Sequence, residues 1–284
     1  CAGKDLAELY DMHTAGAVAF SDGKKAVQDA GLLLRAMQYV RAFNGLVINE
    51  PHHKTIAGAG QMHEGAISTS LGLKGLAALA EEMMIQRDLS LLEYAEGRLH
   101  IHLVSTAKSV ALIRAAKKAG LSVTCSVAVV NLFFTDEQLR DFDSNWKLLP
   151  PLRAQSDADA LMEGLADGTI DFIVSNHAPR DEEAKNLEFP YAEFGMIGLE
   201  TLFPLCCTFG KNKLSLPLLV EKLSLAPRRI LGLHVPVIQE GAAAELTVFD
   251  PFETFTFTQE HIGSKSHNTP FVGQAFQGKV LGTI

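Results

Sequence analysis

Short apolar runs alternate with longer amphipathic stretches along most of this chain, and that alternation limits the folds open to it more than any other feature. Residues 15–20, 45–49, 98–104, 121–127 and 170–175 read as strands. Residues 27–43, 73–94 and 106–119 read as helices, the last stopped by Gly120. Ser156 is expected to cap a helix to about residue 166, with Asp159 as its capping-box partner. Further helices are expected at 198–207 and 216–225. The strand segments are nearly all apolar, as a sheet buried on both faces requires. Strand–helix alternation of this kind gives an α/β fold, a parallel sheet with helices outside. Both an open doubly wound sheet and a closed (β/α)8 TIM-type barrel fit the count. No Gly-x-Gly-x-x-Gly follows a strand, which weakens the dinucleotide-binding form. Neither a P-loop nor a Gly-x-Ser-x-Gly elbow is present. The tail differs: residues 245–249, 255–257 and 278–284 read as short strands of a small β-module.

Composition narrows the function classes. At 284 residues and 47% hydrophobic content the chain is long and apolar enough for a real core, and too apolar for disorder. Its 25 basic residues are outnumbered by 33 acidic ones, for a formal charge of −8, so general affinity for nucleic acid is not expected. The longest apolar stretch, residues 127–134, is interrupted by Asn131 and falls far short of the roughly 20 residues that cross a bilayer. Four cysteines make no disulfide framework, and the adjacent Cys206 and Cys207 suit the core of a reduced, cytoplasmic protein. No signal peptide is visible. Residue 1 is Cys, and residues 4–10 already read like a helix within a domain, so upstream residues are expected.

In a barrel, reactive groups collect at the C-terminal ends of strands. Here those ends carry Ser21-Asp22-Gly23, Glu50-Pro51-His52-His53, and Asn176-His177-Ala178-Pro179-Arg180. His100 and His102 share one strand face, since strand period is two. A hydrolytic metal site needs three or more converging donors. His100 and His102 fit a ligand pair or an ordinary structural pair. His52 and His53, being adjacent, are poorly placed to meet one ion. His177 reads equally well as a ligand or as a packed, hydrogen-bonded histidine. The residues alone name no reaction.

Several ordered segments, taken together, resemble the dihydroorotase family of the amidohydrolase superfamily. They are residues 15–22, Met62-His63-Glu64-Gly65, Leu71-Gly72-Leu73-Lys74-Gly75, residues 104–110 and Pro150-Pro151-Leu152-Arg153. Asp167-Gly168-Thr169-Ile170-Asp171, His177-Ala178-Pro179, residues 194–201 and Asn268-Thr269-Pro270-Phe271 complete the set. The resemblance implies a (β/α)8 barrel, here residues 1–235 and lacking its first strands, and a small β-sandwich to which residues 236–284 contribute. It also implies that a metal-binding His-x-His precedes residue 1.

Active members hold zinc and use a metal-bridging hydroxide to open the ring amide of dihydroorotate, with an aspartate shuttling the proton. Carried over by position, the resemblance puts Gly23 at an aspartate ligand, and Glu50 and Leu103 at histidine ligands. Asn176 stands at the catalytic aspartate, where a neutral amide cannot serve as a carboxylate base. Leu149 and Arg180 replace a substrate-contacting Asn and His. With Phe194, Gly195 and His177 they form the remnant of a substrate pocket. Because Leu103 takes the site-facing position, His100 and His102 are expected to face away. The resemblance thus implies no catalytic residue, no metal ligand set and no cofactor.

Three readings follow. The first is a pseudoenzyme of pyrimidine biosynthesis, a structural or regulatory partner of aspartate carbamoyltransferase within a homo- or hetero-oligomer. The second is an active dihydroorotase or other cyclic amidohydrolase with an altered metal site built from Glu50, His52, His177 and an upstream pair. The third is a small-acid binding protein in which Arg180 pairs a carboxylate and the Phe194–Gly195 backbone forms a wall.

Overall fold

The structure is a computed structural model, and it describes residues 3–284. Cys1 and Ala2 lie outside the described residues. In chain order the strands are β1 (Val47–Asn49), β2 (Met62–His63), β3 (Gly75–Leu76), β4 (Leu99–Ile101), β5 (Val123–Ala128), β6 (Phe172–Val174), β7 (Thr247–Thr256) and β8 (Ala275–Thr283). The central sheet is parallel, in the order β1-β4-β5-β6. Phe20 extends it by one parallel bridge to Val47. Five consecutive staves of a barrel wall are therefore in place. The β2–β3 pair is parallel and separate, and β7–β8 is an antiparallel hairpin.

Helices cover the outer face as the apolar periodicity requires. Ala30–Arg41 buries Leu33, Met37 and Val40, and Ala107–Lys118 buries Val110 and Ile113. Asp29 and Thr106 cap these two, their side chains accepting from Leu32 N–H and Ser109 N–H. Leu79–Ala95 lies between them, and Gln155–Ala166 follows Ala107–Lys118 around the wall. No described helix is long and apolar enough to cross a membrane.

Several expected elements shift. The strand read at 15–20 reduces to Phe20, whose N–H and C=O pair with Leu46 and Ile48 at 2.9 and 2.8 Å. Its neighbours have no ladder partner among the described residues, and Val18 is exposed. The helix read from residue 73 starts at Leu79, because Gly75 is drawn into β3 against Glu64, where a Cβ would stand 2.6 Å from Glu64 Cα. Ser156 is not a cap. The helix begins at Gln155 with Ala154 as N-cap, and Asp159 instead accepts from Gln155 Nε2. The helix read at 198–207 runs Leu202–Phe209.

The three short tail strands are two long ones. The ladder skips between Asp250 and Thr254, across Pro251, which has no N–H to contribute. The hairpin lies on helix Leu202–Phe209. At Gly278, with φ +92°, a Cβ would stand 2.5 Å from Cys207 Cβ, so only glycine allows this approach. Cys206 and Cys207 are buried beneath it, and with Cys125 they are free thiols.

Candidate functional site

The ends of β1, β4 and β6 converge on one mouth. At the end of β1, buried Asn49 donates to Asp88 Oδ2 at 2.6 Å and accepts from Val27 N–H at 2.9 Å. This pins the turn that presents Glu50. Past β4, Leu103 is held at φ +62°, and past β6, Asn176 at φ +50°. Left-handed backbone is tolerated by Asn but is a real outlier for a bulky Leu, at a cost of about 1–2 kcal/mol. Strained positions of this kind cluster where a structure must aim side chains at one point.

Two cavities occupy the mouth. The larger is a cleft of ≈ 440 Å³ lined by Lys24, Glu50, Leu149, Asn176, Arg180, Phe194 and Gly195, among others. The smaller, ≈ 20 Å³, is the size of one water and is bounded by Glu50, His52, His102, Leu103 and Leu149. Glu50 and Leu149 belong to both. Gly23 and His177 line neither. His177 stands at a bridge to Met196, its Nδ1 accepting from Gly198 N–H at 3.2 Å. The cleft also contains Lys24 and Lys147, which were not expected. Lys24 sits next to Gly23 at a strand end, and that adjacency was the available signal.

The expectation that both histidines face away from the site fails for His102, whereas His100 lines neither cavity. β4 ends at Ile101, and left-handed Leu103 breaks the period-two alternation, so His102 and Leu103 line the same small cavity. His102 Nδ1 is 2.9 Å from Ser126 Oγ. His100 is enclosed within the sheet, bonded to Thr124 Oγ1 and Ser126 Oγ and stacked 4.8 Å from Phe172. Burial pushes His100 down to about 3 and His102 to about 4. Burial also raises the Glu50 carboxyl, with Lys24 opposing. It lowers the Lys24 ammonium, joined by Arg180 and opposed by Glu50.

A buried ion network supports the floor. Glu81 accepts from the Ser105 and Thr106 N–H groups at 2.8 and 3.1 Å and from the Ser105 and Ser109 hydroxyls. Arg153 approaches it at 3.6 Å and donates to the Leu76 carbonyl at 3.0 Å. The segment carrying Leu149 is thereby tied to the β4 turn.

Residues 2–109 match the family model described as dihydro-orotase-like. A dihydroorotase of Pelotomaculum thermopropionicum is 45% identical and covers 99% of this chain and 66% of its own length. That of Acetivibrio thermocellus is 41% identical, covering 99% and 67%. The chain belongs to the dihydroorotase family. It spans about two thirds of the length of these relatives. Among solved structures it resembles the L-hydantoinase (dihydropyrimidinase) of Arthrobacter aurescens, with a TM-score of 0.84 at 26% identity over 98% of this chain and 65% of that one. The dihydropyrimidinase of Brevibacillus agri NCHU1002 matches at 0.82 and 20% identity, a likeness of fold alone. The α/β barrel architecture is thereby confirmed.

Zinc, the metal of active dihydroorotases, does not fit the side chains present. Gly23 and Leu103 offer no donor atom. Asn176 spends its Nδ2 on the Leu149 carbonyl at 3.0 Å. Glu50 remains as one carboxylate. Among the described residues no group of three His, Cys, Asp or Glu is placed to hold one metal ion.

Proposed function

We propose that this dihydroorotase-family chain serves pyrimidine biosynthesis without zinc–hydroxide chemistry, as a cytoplasmic structural or regulatory partner of aspartate carbamoyltransferase. The observation that carries the reading is the donor set at the mouth: Gly23, Glu50, Leu103 and Asn176 stand where the family pattern implies three metal ligands and a proton-shuttling aspartate. A zinc-bound hydroxide needs several ligands to hold the ion and a base to move the proton. The buried Glu81–Arg153 network is fully paired, which suits selection for assembly rather than turnover.

Three measurements test this. Protein purified without chelator should carry well under one zinc per chain, dihydroorotate should not be hydrolysed, and aspartate carbamoyltransferase should co-purify. Stoichiometric zinc together with dihydroorotate hydrolysis sinks the reading.

A second reading, an active cyclic amidohydrolase with an altered metal site, is favoured by the enzyme name its relatives carry and by Glu50, His52 and His102 bordering one small cavity. In that case Glu50→Gln abolishes both metal content and hydrolysis.

A further inference from the structure

The polar groups of the ≈ 440 Å³ cleft differ in how much of their bonding capacity the protein already uses. Lys147 is committed: its Nζ donates to the Phe189 and Pro190 carbonyls at 2.7 and 3.1 Å and lies over the Phe189 and Phe194 rings. Arg180 is committed too, with Nε 2.8 Å from Glu193 Oε2 and 2.9 Å from the Phe194 carbonyl. That pairing occupies the guanidinium that the small-acid reading left free to clamp a carboxylate.

Lys24, Glu50 and Gln61 are different. The one hydrogen bond of Lys24 among the described residues is a long 3.4 Å contact to the His177 carbonyl. The Glu50 carbonyl accepts from His52 N–H at 3.0 Å, but its carboxylate, which feels burial and the charge of Lys24, accepts no hydrogen bond from a described residue. Gln61 uses its Nε2 on the Ala59 carbonyl at 3.0 Å, while its buried Oε1 has no partner. Of the three, Gln61 Oε1 is withdrawn from water, where an unpaired acceptor is costly until a ligand pairs it, while Lys24 is exposed at the rim and Glu50 is half-buried. The cleft therefore holds a cationic donor, a carboxylate that feels its charge and a buried amide oxygen, all with hydrogen-bonding capacity that the described residues leave unfilled.

A simple anion would satisfy Lys24 and set its charge against Glu50. A simple cation would do the reverse. A small molecule with a carboxylate and an ammonium group on the same carbon answers both demands. We propose that this cleft binds a free α-amino acid as its zwitterion, the carboxylate on Lys24 and the ammonium on Glu50 and Gln61 Oε1. The volume admits a ligand of that size.

Thermal-shift and calorimetric titrations test this on the full chain. The probes are free L-amino acids, their N-carbamoyl derivatives, which lack the ammonium, and their amides, which lack the carboxylate. At least one free amino acid should raise Tm, and both of its derivatives should bind at least about tenfold more weakly, the loss of one charged hydrogen bond. Lys24→Met and the isosteric Glu50→Gln should each weaken binding by a similar factor, with unchanged Tm of the unliganded protein showing that the fold is kept. The proposal is overturned if no free amino acid binds, if an N-carbamoyl derivative binds as tightly as its parent, or if both variants bind like the parent chain.

Discussion

Asn176 shows how much a single position can carry. Its left-handed backbone and its bond to the Leu149 carbonyl are separable. Asn176→Gly keeps the backbone conformation and loses the bond, whereas Asn176→Ala loses both. Urea unfolding should therefore find the alanine variant less stable than the glycine variant by about 1 kcal/mol. Arg153 tests the buried network. Arg153→Met leaves Glu81 uncompensated in the core and should cost about 3–5 kcal/mol, while Arg41→Met, which breaks an exposed pair with Glu96, should cost less than about 1 kcal/mol. The buried histidines give a pH test. Their folded-state pKa values, about 3 for His100 and about 4 for His102, lie below the ordinary 6.5, so the unfolded chain binds more protons between these limits. Stability then rises with pH across that window and is lost as pH falls from about 6.5 toward 3. The raised Glu50 and Asp88 carboxyls act in the opposite sense, so the informative quantity is the change in slope. His100→Gln should flatten the dependence of the urea midpoint on pH between 6.5 and 4; an unaltered slope counts against a neutral His100.

At the scale of elements, the hairpin β7–β8 depends on close approach to helix Leu202–Phe209. Gly278→Ala drives a methyl group into Cys207 at a backbone angle hostile to side chains, and nearby Gly282 has open space around it. Hydrogen exchange of residues 247–256 and 275–283 should accelerate markedly in Gly278→Ala and stay unchanged in Gly282→Ala. Equal effects would show that the hairpin is not held at Gly278. The helices themselves were legible from their apolar spacing, to within a few residues, because helix periodicity is local. Residues 15–20 and 73–76 misled because strand extent depends on a ladder partner elsewhere in the chain. The tail misled because an unpaired Pro251 interrupts a ladder without ending either strand.

For the molecule as a whole, the lack of bound zinc that the proposed function requires has a thermodynamic signature. A bound metal adds to stability in proportion to the logarithm of its saturation. Extensive chelation should leave Tm unchanged here, and a fall of several degrees with recovery on adding zinc would contradict the proposed function.

Alternation and apolar runs determined by themselves that this is an α/β protein with strand ends as its working face, because those signals arise from neighbours in sequence. The resemblance to the dihydroorotase family also singled out Gly23, Glu50, Leu103 and Asn176, whose degeneracy belongs to the proposed function. Only the tertiary structure decided that Lys24 and Lys147 share a cleft with Glu50, that Glu193 takes up Arg180, and that His102 turns toward the mouth. Those outcomes depend on which strands stand side by side and on one left-handed residue past β4, and neither is encoded in any local pattern.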